Sequence, residues 1–107
     1  MTSTERTAKI AAANDQLRTT FQGGDVLMTC GIRGTGQVNE ILAKVRGHSD
    51  WSTDNDPYGE RDFRVLRHDG DRIYWKIDYY NQTLDGGEDP LSASCRRVLT
   101  VMLAEEY

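Results

Sequence analysis

The pattern of apolar and polar residues at the start of the chain predicts a helix over residues 4–20. Alanines are frequent there, and the few larger apolar residues fall on one thin line of a helical surface. Thr2 and Glu5 have the three-residue spacing of a capping box, and Gly23-Gly24 provides a glycine stop. Because the line holds so few large side chains, we expect this helix to pack along one edge, as a lid or dimer element.

The clearest amphipathic pattern runs from Gln37 to Arg46 and predicts a second helix. Thr35 is placed to cap its start and Gly47 to end it. The preceding GIRGTG segment, residues 31–36, fits neither of the usual glycine spacings of phosphate-binding loops, so we interpret it as a strand-to-helix turn. The apolar face of the helix consists of Val38, Ile41, Leu42 and Val45.

Four segments have the residue pattern of β-strands, and they are Asp25–Ile32, Asp62–Arg67, Asp71–Tyr80 and Arg97–Ala104. The first alternates apolar residues on one face, as a half-buried strand does. The last is apolar on both faces, which is typical of a strand buried on both sides. Residues 91–104 also fit a helical stripe that would begin at Asp89-Pro90. The β-branched content favours the strand.

The second and third strands are predicted to form a hairpin, and the turn decides which side chains share a face. A two-residue Asp69-Gly70 turn would mix apolar and polar residues on both faces. A three-residue loop that also includes His68 gathers the apolar residues on one core face, which Ile77 and Tyr79 continue, so we predict that loop. Its cross-strand pairs are Val65 with Ile73, Phe63 with Trp75, Arg64 with Tyr74, and Asp62 with Lys76, the last an ion pair.

These elements predict a single α+β domain over residues 1–107, in the order α-β-α-β-β-β. We expect a sheet of about four strands, mostly antiparallel, with the helices on one of its faces. A chain of 107 residues can bury one modest core. No apolar run is long enough to span a membrane, and the N-terminus lacks the apolar segment of a signal peptide. We therefore expect a soluble, cytoplasmic protein.

The net charge of -4 is unevenly distributed along the chain. Residues 1–49 carry six basic and four acidic residues, whereas residues 50–107 carry seven basic and thirteen acidic residues. An acidic half repels nucleic acid phosphates and favours cationic partners, although a merely solvated face would have the same composition. The basic residues of the first helix are too sparse for a nucleic acid footprint, so we predict no direct contact with nucleic acid.

Two acidic loops and a tyrosine-rich strand end form the candidate binding surface. Tyrosine offers a large contact area at low entropy cost, and carboxylates select a basic partner. Trp51 stands alone in a polar loop and fits either a loop anchor or a binding hot spot. The predicted partner-binding residues are Trp51, Asp54, Asp56, Tyr58, Glu60, Tyr74, Asp78, Tyr80, Asp85, Glu88 and Asp89.

The chain contains no complete catalytic or cofactor motif. Residues 54–59 begin like a calcium-binding loop, but Tyr58 and Val65 occupy positions where that loop needs oxygen ligands. We predict no catalytic residue, no cofactor and no metal.

His48 and His68 are expected at the surface, and Cys30 and Cys95 are expected to be small buried residues. The alternative is a small metal-dependent hydrolase or nuclease that uses the carboxylates of residues 54–62 and 78–89.

Three strings, NDPYGERDF, IYWKIDYYN and RVLTVMLAEEY, resemble a bacterial family of short proteins classed as a domain of unknown function. The resemblance extends from Asn14 to Tyr107. Members of that family are often encoded on plasmids and other mobile elements. A histidine usually precedes the Asp-Phe pair in the family, and this chain has Arg61 there, so no role of that histidine carries over.

From its residues we predict a small acidic, non-catalytic protein that binds a partner protein with a basic surface. The resemblance implies a counter-defence or plasmid-maintenance role, such as an anti-CRISPR inhibitor whose partner is a CRISPR effector. Such effectors bind nucleic acid and therefore expose basic surfaces.

Overall fold

The computed structural model describes all residues, 1–107, and its first element is α1, Ser3–Thr20. Thr2 caps this helix, because its hydroxyl accepts from the Glu5 amide at 3.1 Å. The predicted capping box is incomplete, since the Glu5 carboxylate accepts from the Thr2 hydroxyl at 3.0 Å and not from the Thr2 amide. The helix ends at Phe21, in the left-handed region at φ 60°, before the glycine pair. Its Leu17 is fully buried in the central core. The expectation of a lid or edge helix is therefore wrong.

The first strand is shorter than predicted. It is β1, Asp25–Met28, and the five-residue helix α2, Cys30–Gly34, follows it. Thr29 ends the strand because its side chain caps α2, accepting from the Ile32 amide at 3.4 Å. Most of the glycine-rich segment is thus helical. Ile32 is buried as a residue of α2 and not as a residue of a strand.

The second long helix, α3, spans Val38–Gly47, close to its predicted limits. Its Ile41 and Val45 are fully buried, as the amphipathic pattern predicts. The Thr35 hydroxyl accepts from the Gln37 amide at 3.1 Å, one residue before the helix, and does not cap it directly.

The hairpin of β2, Phe63–His68, and β3, Asp71–Tyr80, has the register of the shorter turn and not the predicted one. Its turn is the two residues Asp69 and Gly70, with φ of 50° and 81°. Positive φ at both positions is the signature of a type I′ turn, whose twist matches that of the strands.

The predicted three-residue loop and its cross-strand pairs are therefore wrong. The observed pairs are Phe63 with Lys76, Arg64 with Trp75, Val65 with Tyr74, and Leu66 with Ile73. The predicted ion pair of Asp62 and Lys76 is replaced by a contact of Lys76 with Asp78 on the same strand.

The last strand, β4, covers Arg96–Leu103 and confirms the choice of strand over helix. The sheet order is β1-β4-β3-β2, with β1 parallel to β4 and the other neighbours antiparallel. As a central strand, β4 is buried on both sides. Leu99 and Val101 point toward the helices, whereas Val98 and Met102 point the other way. A short 3₁₀ helix, η1, Ala104–Glu106, follows.

The helices pack on one face of the sheet, which confirms the predicted α+β class. Trp75 is fully buried between the sheet and the helices, in a cluster with residues of α1, α2 and α3. We call the other side of the sheet the open face, because no helix longer than η1 packs there. Its side chains, by strand register, are Asp25, Leu27, Phe63, Val65, Arg67, Arg72, Tyr74, Lys76, Asp78, Tyr80, Arg96, Val98, Thr100 and Met102.

No helix of the protein is both long and apolar enough to cross a membrane.

Candidate interaction surface

Both acidic segments of the chain lie at the same end of the sheet. The first acidic loop, residues 49–62, leads into β2, and the second acidic loop, residues 81–95, joins β3 to β4. The strand β4 starts opposite Tyr80, the last residue of β3, whereas β2 starts opposite Lys76. The first acidic loop continues beside the end of β3, where the Ile77 amide donates to the Asp62 carbonyl at 2.7 Å, and this brings the loops together. The first loop holds five carboxylates and one arginine, and the second holds three carboxylates and no basic residue. We call this region the acidic end.

The first acidic loop is anchored by Trp51, which is half-buried. Its ring lies edge-on to His48 at 4.5 Å and to Trp75 at 5.9 Å between centroids. The guanidinium of Arg18 lies 5.5 Å from both tryptophan centroids, and that of Arg61 lies 5.6 Å from Trp51. Of the two predicted roles for Trp51, the structure supports the loop anchor.

Arg18 is a buried cation that joins α1 to the end of α3. It donates to the carbonyls of Val45 at 3.0 Å and Arg46 at 3.1 Å, where an α-helix leaves its last carbonyls free. It also pairs with Asp15 at 3.1 Å, and Asp15 pairs with Arg61 at 2.6 Å. The ion pairs therefore reach from the helix layer into the first acidic loop.

Asn14 connects both acidic loops from a fully buried position on α1. Its amide nitrogen donates to the Glu60 carbonyl at 2.9 Å and to the Tyr79 hydroxyl at 2.8 Å. Its amide oxygen accepts from Arg97 at 2.8 Å, and Arg97 donates to the carbonyl of Pro90 at 2.6 Å. One buried side chain thus fixes the position of one loop relative to the other.

The Tyr79 hydroxyl completes this network by donating to the Glu60 carboxylate at 3.0 Å. Burial raises the pKa of Tyr79 far above its ordinary value, and the nearby charge of Glu60 raises it further. The phenol therefore stays protonated and remains a donor at physiological pH.

The first loop divides its predicted residues between exposed and engaged positions. Asp54 is exposed, and Tyr58 is 84% exposed. Asp56 is half-buried and accepts from the Arg61 amide at 3.1 Å, and Glu60 belongs to the network of Tyr79. Asp54 and Tyr58 are thus the members of this loop that are free to contact a partner.

The second loop is ordered by its own carboxylates. Asp85 accepts from Thr83 at 2.7 Å and Asn81 at 2.8 Å, and these hydrogen bonds lower its pKa. The hydrogen bond from Arg6, at 2.8 Å, lowers the pKa of Asp89. Glu88 accepts from the Ser94 hydroxyl at 3.1 Å. The carboxylates of Asp85 and Asp89 therefore remain ionised at physiological pH.

The remaining predicted residues, Tyr74, Asp78 and Tyr80, lie on the open face. Asp78 and Tyr80 lie where β3 ends, beside the acidic end, and Tyr80 also bridges to Gly87 of the second loop. Tyr74 lies farther along β3, and the sheet separates it from Trp51. The predicted set is therefore not one surface but an acidic end with Tyr74 outside it.

Sequence reasoning missed the residues that hold the acidic end together, Asn14, Arg18 and Arg97. A signal for two of them was present. The buried positions of α1 are residues 10, 11, 14, 17 and 18, which form one helical stripe, and Asn14 and Arg18 are its polar members. Polar residues on a buried stripe indicate specific partners.

No group of three or more His, Cys, Asp or Glu side chains is arranged so that it could hold a metal ion. Burial raises the pKa of Asp62, and the neighbouring charge of Glu60 adds to the effect.

Cys30 is exposed and Cys95 half-buried, so the expectation of two buried cysteines is wrong. Cys30 is exposed because it begins α2, whose buried residue is Ile32.

The fold and this surface define a small α+β protein whose two acidic loops are joined through a buried polar network. The family described as "Protein of unknown function (DUF3768)" has a model that matches residues 6–106, so the chain belongs to this family. This confirms the resemblance to a family of unknown function. No curated protein and no solved structure matches the chain.

Proposed function

We propose that this protein is a non-catalytic interaction protein whose acidic end binds a basic surface of a partner protein. The observation that carries the proposal is the placement of both acidic loops at one end of the sheet. Clustered carboxylates attract a basic surface and orient it during encounter.

The buried network supports binding because it removes much of the cost of ordering the loops. Asn14 and Arg97 tie the loops to the sheet and to each other, and Arg18 and Trp51 hold the first loop against the core. A surface that is ordered before binding loses less conformational entropy in the complex.

Tyr58 is the proposed central contact of the surface. It is 84% exposed, and it lies in the loop between the acidic residues Asp54 and Glu60. An exposed tyrosine surrounded by carboxylates offers an apolar ring for a hot spot and charges for its rim.

The finer proposal is that the partner is a nucleic-acid-binding effector, such as a CRISPR effector, and that the protein is a counter-defence inhibitor. This choice is supported by the mobile-element setting that the sequence resemblance implies. The physical support is that an acidic surface can occupy the basic groove that otherwise holds phosphates.

The test is a binding titration of a purified CRISPR effector on the immobilised protein, with rising salt and with the effector's nucleic acid as competitor. We expect affinity to fall with salt, and nucleic acid to displace the protein. The double variant Asp50→Lys/Asp54→Lys changes two exposed carboxylates that make no side-chain hydrogen bond, and we expect it to bind at least about tenfold more weakly.

The matched control is Glu40→Lys/Glu105→Lys, which makes the same charge change at the opposite end of the sheet. Both positions are exposed, and the start of α3 lies near the β2–β3 turn, where Gln37 contacts His68. Equal loss of affinity in both double variants, or binding that ignores salt, contradicts the role of the acidic end. Absence of binding to the effector contradicts the finer proposal.

A further inference from the structure

The open face carries a cluster of aromatic rings that no helix covers. Phe63 is 37% exposed, and Tyr107, which follows η1, is 74% exposed. The centroids of Phe63 and Tyr74 are 5.3 Å apart, and those of Tyr74 and Tyr107 are 5.5 Å apart. The rings contact each other edge-on, which leaves ring surface available to solvent.

Two arginines on the same face have no ion-pair partner. Arg67 and Arg72 are directly opposite each other on β2 and β3, and both are exposed. Like charges in directly opposite positions destabilise a sheet, and neither arginine forms an ion pair that would offset this. Glu105 of η1 lines the same cavity as both arginines but forms no ion pair with either.

The carboxylates of the open face are already neutralised by partners on that face. Asp78 contacts Lys76, and Asp25 pairs with Arg96 at 2.7 Å. The charges left without a partner on the strands of the open face are thus those of the two arginines, Arg67 and Arg72. Glu105 and Glu106 of η1 border this face, so the two arginines form a local basic patch on it.

We propose that the open face binds a single-stranded nucleic acid, with bases stacking on Phe63 and Tyr107 and phosphates contacting Arg67 and Arg72. Aromatic rings beside cations on a sheet are the combination by which proteins bind single strands, because every base has a face that can stack. The distance from Phe63 to Arg67 along β2 is about 13 Å, which accommodates a short segment.

This proposal goes beyond the binding of a basic protein at the acidic end and concerns a different surface. It also departs from the sequence-based expectation of no direct contact with nucleic acid. That expectation considered the sparse basic residues of α1, and the facing arginines become visible only with the observed hairpin register.

The test is fluorescence anisotropy with labelled oligo(dT) and oligo(U) of about 12 nucleotides, compared with a duplex of equal length. We expect single strands to bind more tightly than the duplex, and the affinity to fall as salt rises. The variant Arg67→Ala/Arg72→Ala is expected to bind at least about tenfold more weakly. Its salt slope should fall by roughly 0.7 for each phosphate that an arginine no longer neutralises.

Tyr107→Ala tests the stacking contribution separately, and we expect it to weaken binding at least about fivefold. The matched control for charge is Lys9→Ala/Arg33→Ala, which removes two exposed cations of α1 and α2, and we expect it to bind as the parent protein does. Thermal unfolding of each variant checks that it is folded. Asp50→Lys/Asp54→Lys is expected to retain single-strand binding, which separates this proposal from that for the acidic end.

Three outcomes would overturn the proposal. The first is no binding of either oligonucleotide at about 50 mM salt, where phosphate contacts are strong. The second is an equal loss of binding in the control variant. The third is a dimer in solution that Tyr107→Ala dissolves, because the open face would then be covered by a second copy of the chain.

Discussion

At the scale of single residues, Asn14 is predicted to contribute strongly to stability. It is fully buried and makes hydrogen bonds to Glu60, Tyr79 and Arg97. We expect Asn14→Ala to lower the free energy of unfolding by about 2–4 kcal/mol, since it leaves several buried partners unpaired. Urea unfolding measures this, with Asn39→Ala on the exposed side of α3 as the control. A cost below about 1 kcal/mol would contradict the role of Asn14 in joining the loops.

His48 predicts a pH dependence of stability. Burial lowers the pKa of His48 below its ordinary value of 6.5, and the charges of Arg64 and Arg18 act in the same direction. The unfolded chain therefore binds the proton more readily than the folded one. Stability should be complete above pH 6.5 and should fall as the pH drops through 6.5 toward the folded-state pKa.

The measurement is urea unfolding between about pH 8 and 5.5, with His48→Gln as the comparison. The variant should lack the part of the decline that His48 causes. The lowered pKa values of Asp85, Asp89 and Glu106 place the titration of these carboxylates below this range. An identical decline in the variant would show that His48 is not the group responsible.

At the scale of secondary structure elements, the approach to β1 depends on the small size of Gly24. A Cβ atom there would lie 2.5 Å from the Arg97 carbonyl oxygen and 3.0 Å from the Leu17 side chain. We expect Gly24→Ala to destabilise the fold by about 1–3 kcal/mol, because the backbone must move to relieve the close contact with the Arg97 carbonyl oxygen. In Gly47→Ala the added methyl meets nothing within 4 Å, and it should be neutral or stabilise α3 by roughly 0.5–1 kcal/mol. Equal thermal unfolding temperatures for the two variants would contradict this close packing.

Most of the elements were predictable from local pattern, but α2 was not, because its residues fit the predicted first strand and the glycine-rich turn. The register of the hairpin was not predicted correctly. Sorting the apolar residues onto one face favours a longer turn than the one that forms. Asp69-Gly70 is a strong signal for a type I′ turn, and the structure follows it. Arg64, the polar residue that this register turns inward, lies half-buried on the helix side of β2, and its Nε is buried without a hydrogen-bond partner.

At the scale of the whole molecule, the chain gathers its acidic loops at one end and leaves arginines and aromatic rings on the open face. The composition predicted an acidic surface, and the order of elements predicted the α+β class. The contacts that make the acidic end one unit were not predictable from local pattern. Asn14, Glu60 and Arg97 are far apart in the chain and meet only after the sheet has formed.

The most direct test of the central claim is a hydrogen–deuterium exchange footprint of the protein in complex with its protein partner. If the acidic end is the binding surface, backbone amides in residues 49–62 and 81–95 should be protected, with strongest protection around Tyr58. The amides of α2 and of the β2–β3 turn, at the other end of the sheet, should exchange as in the free protein. Protection confined to that other end or to the open face, with both acidic loops unchanged, would contradict the account.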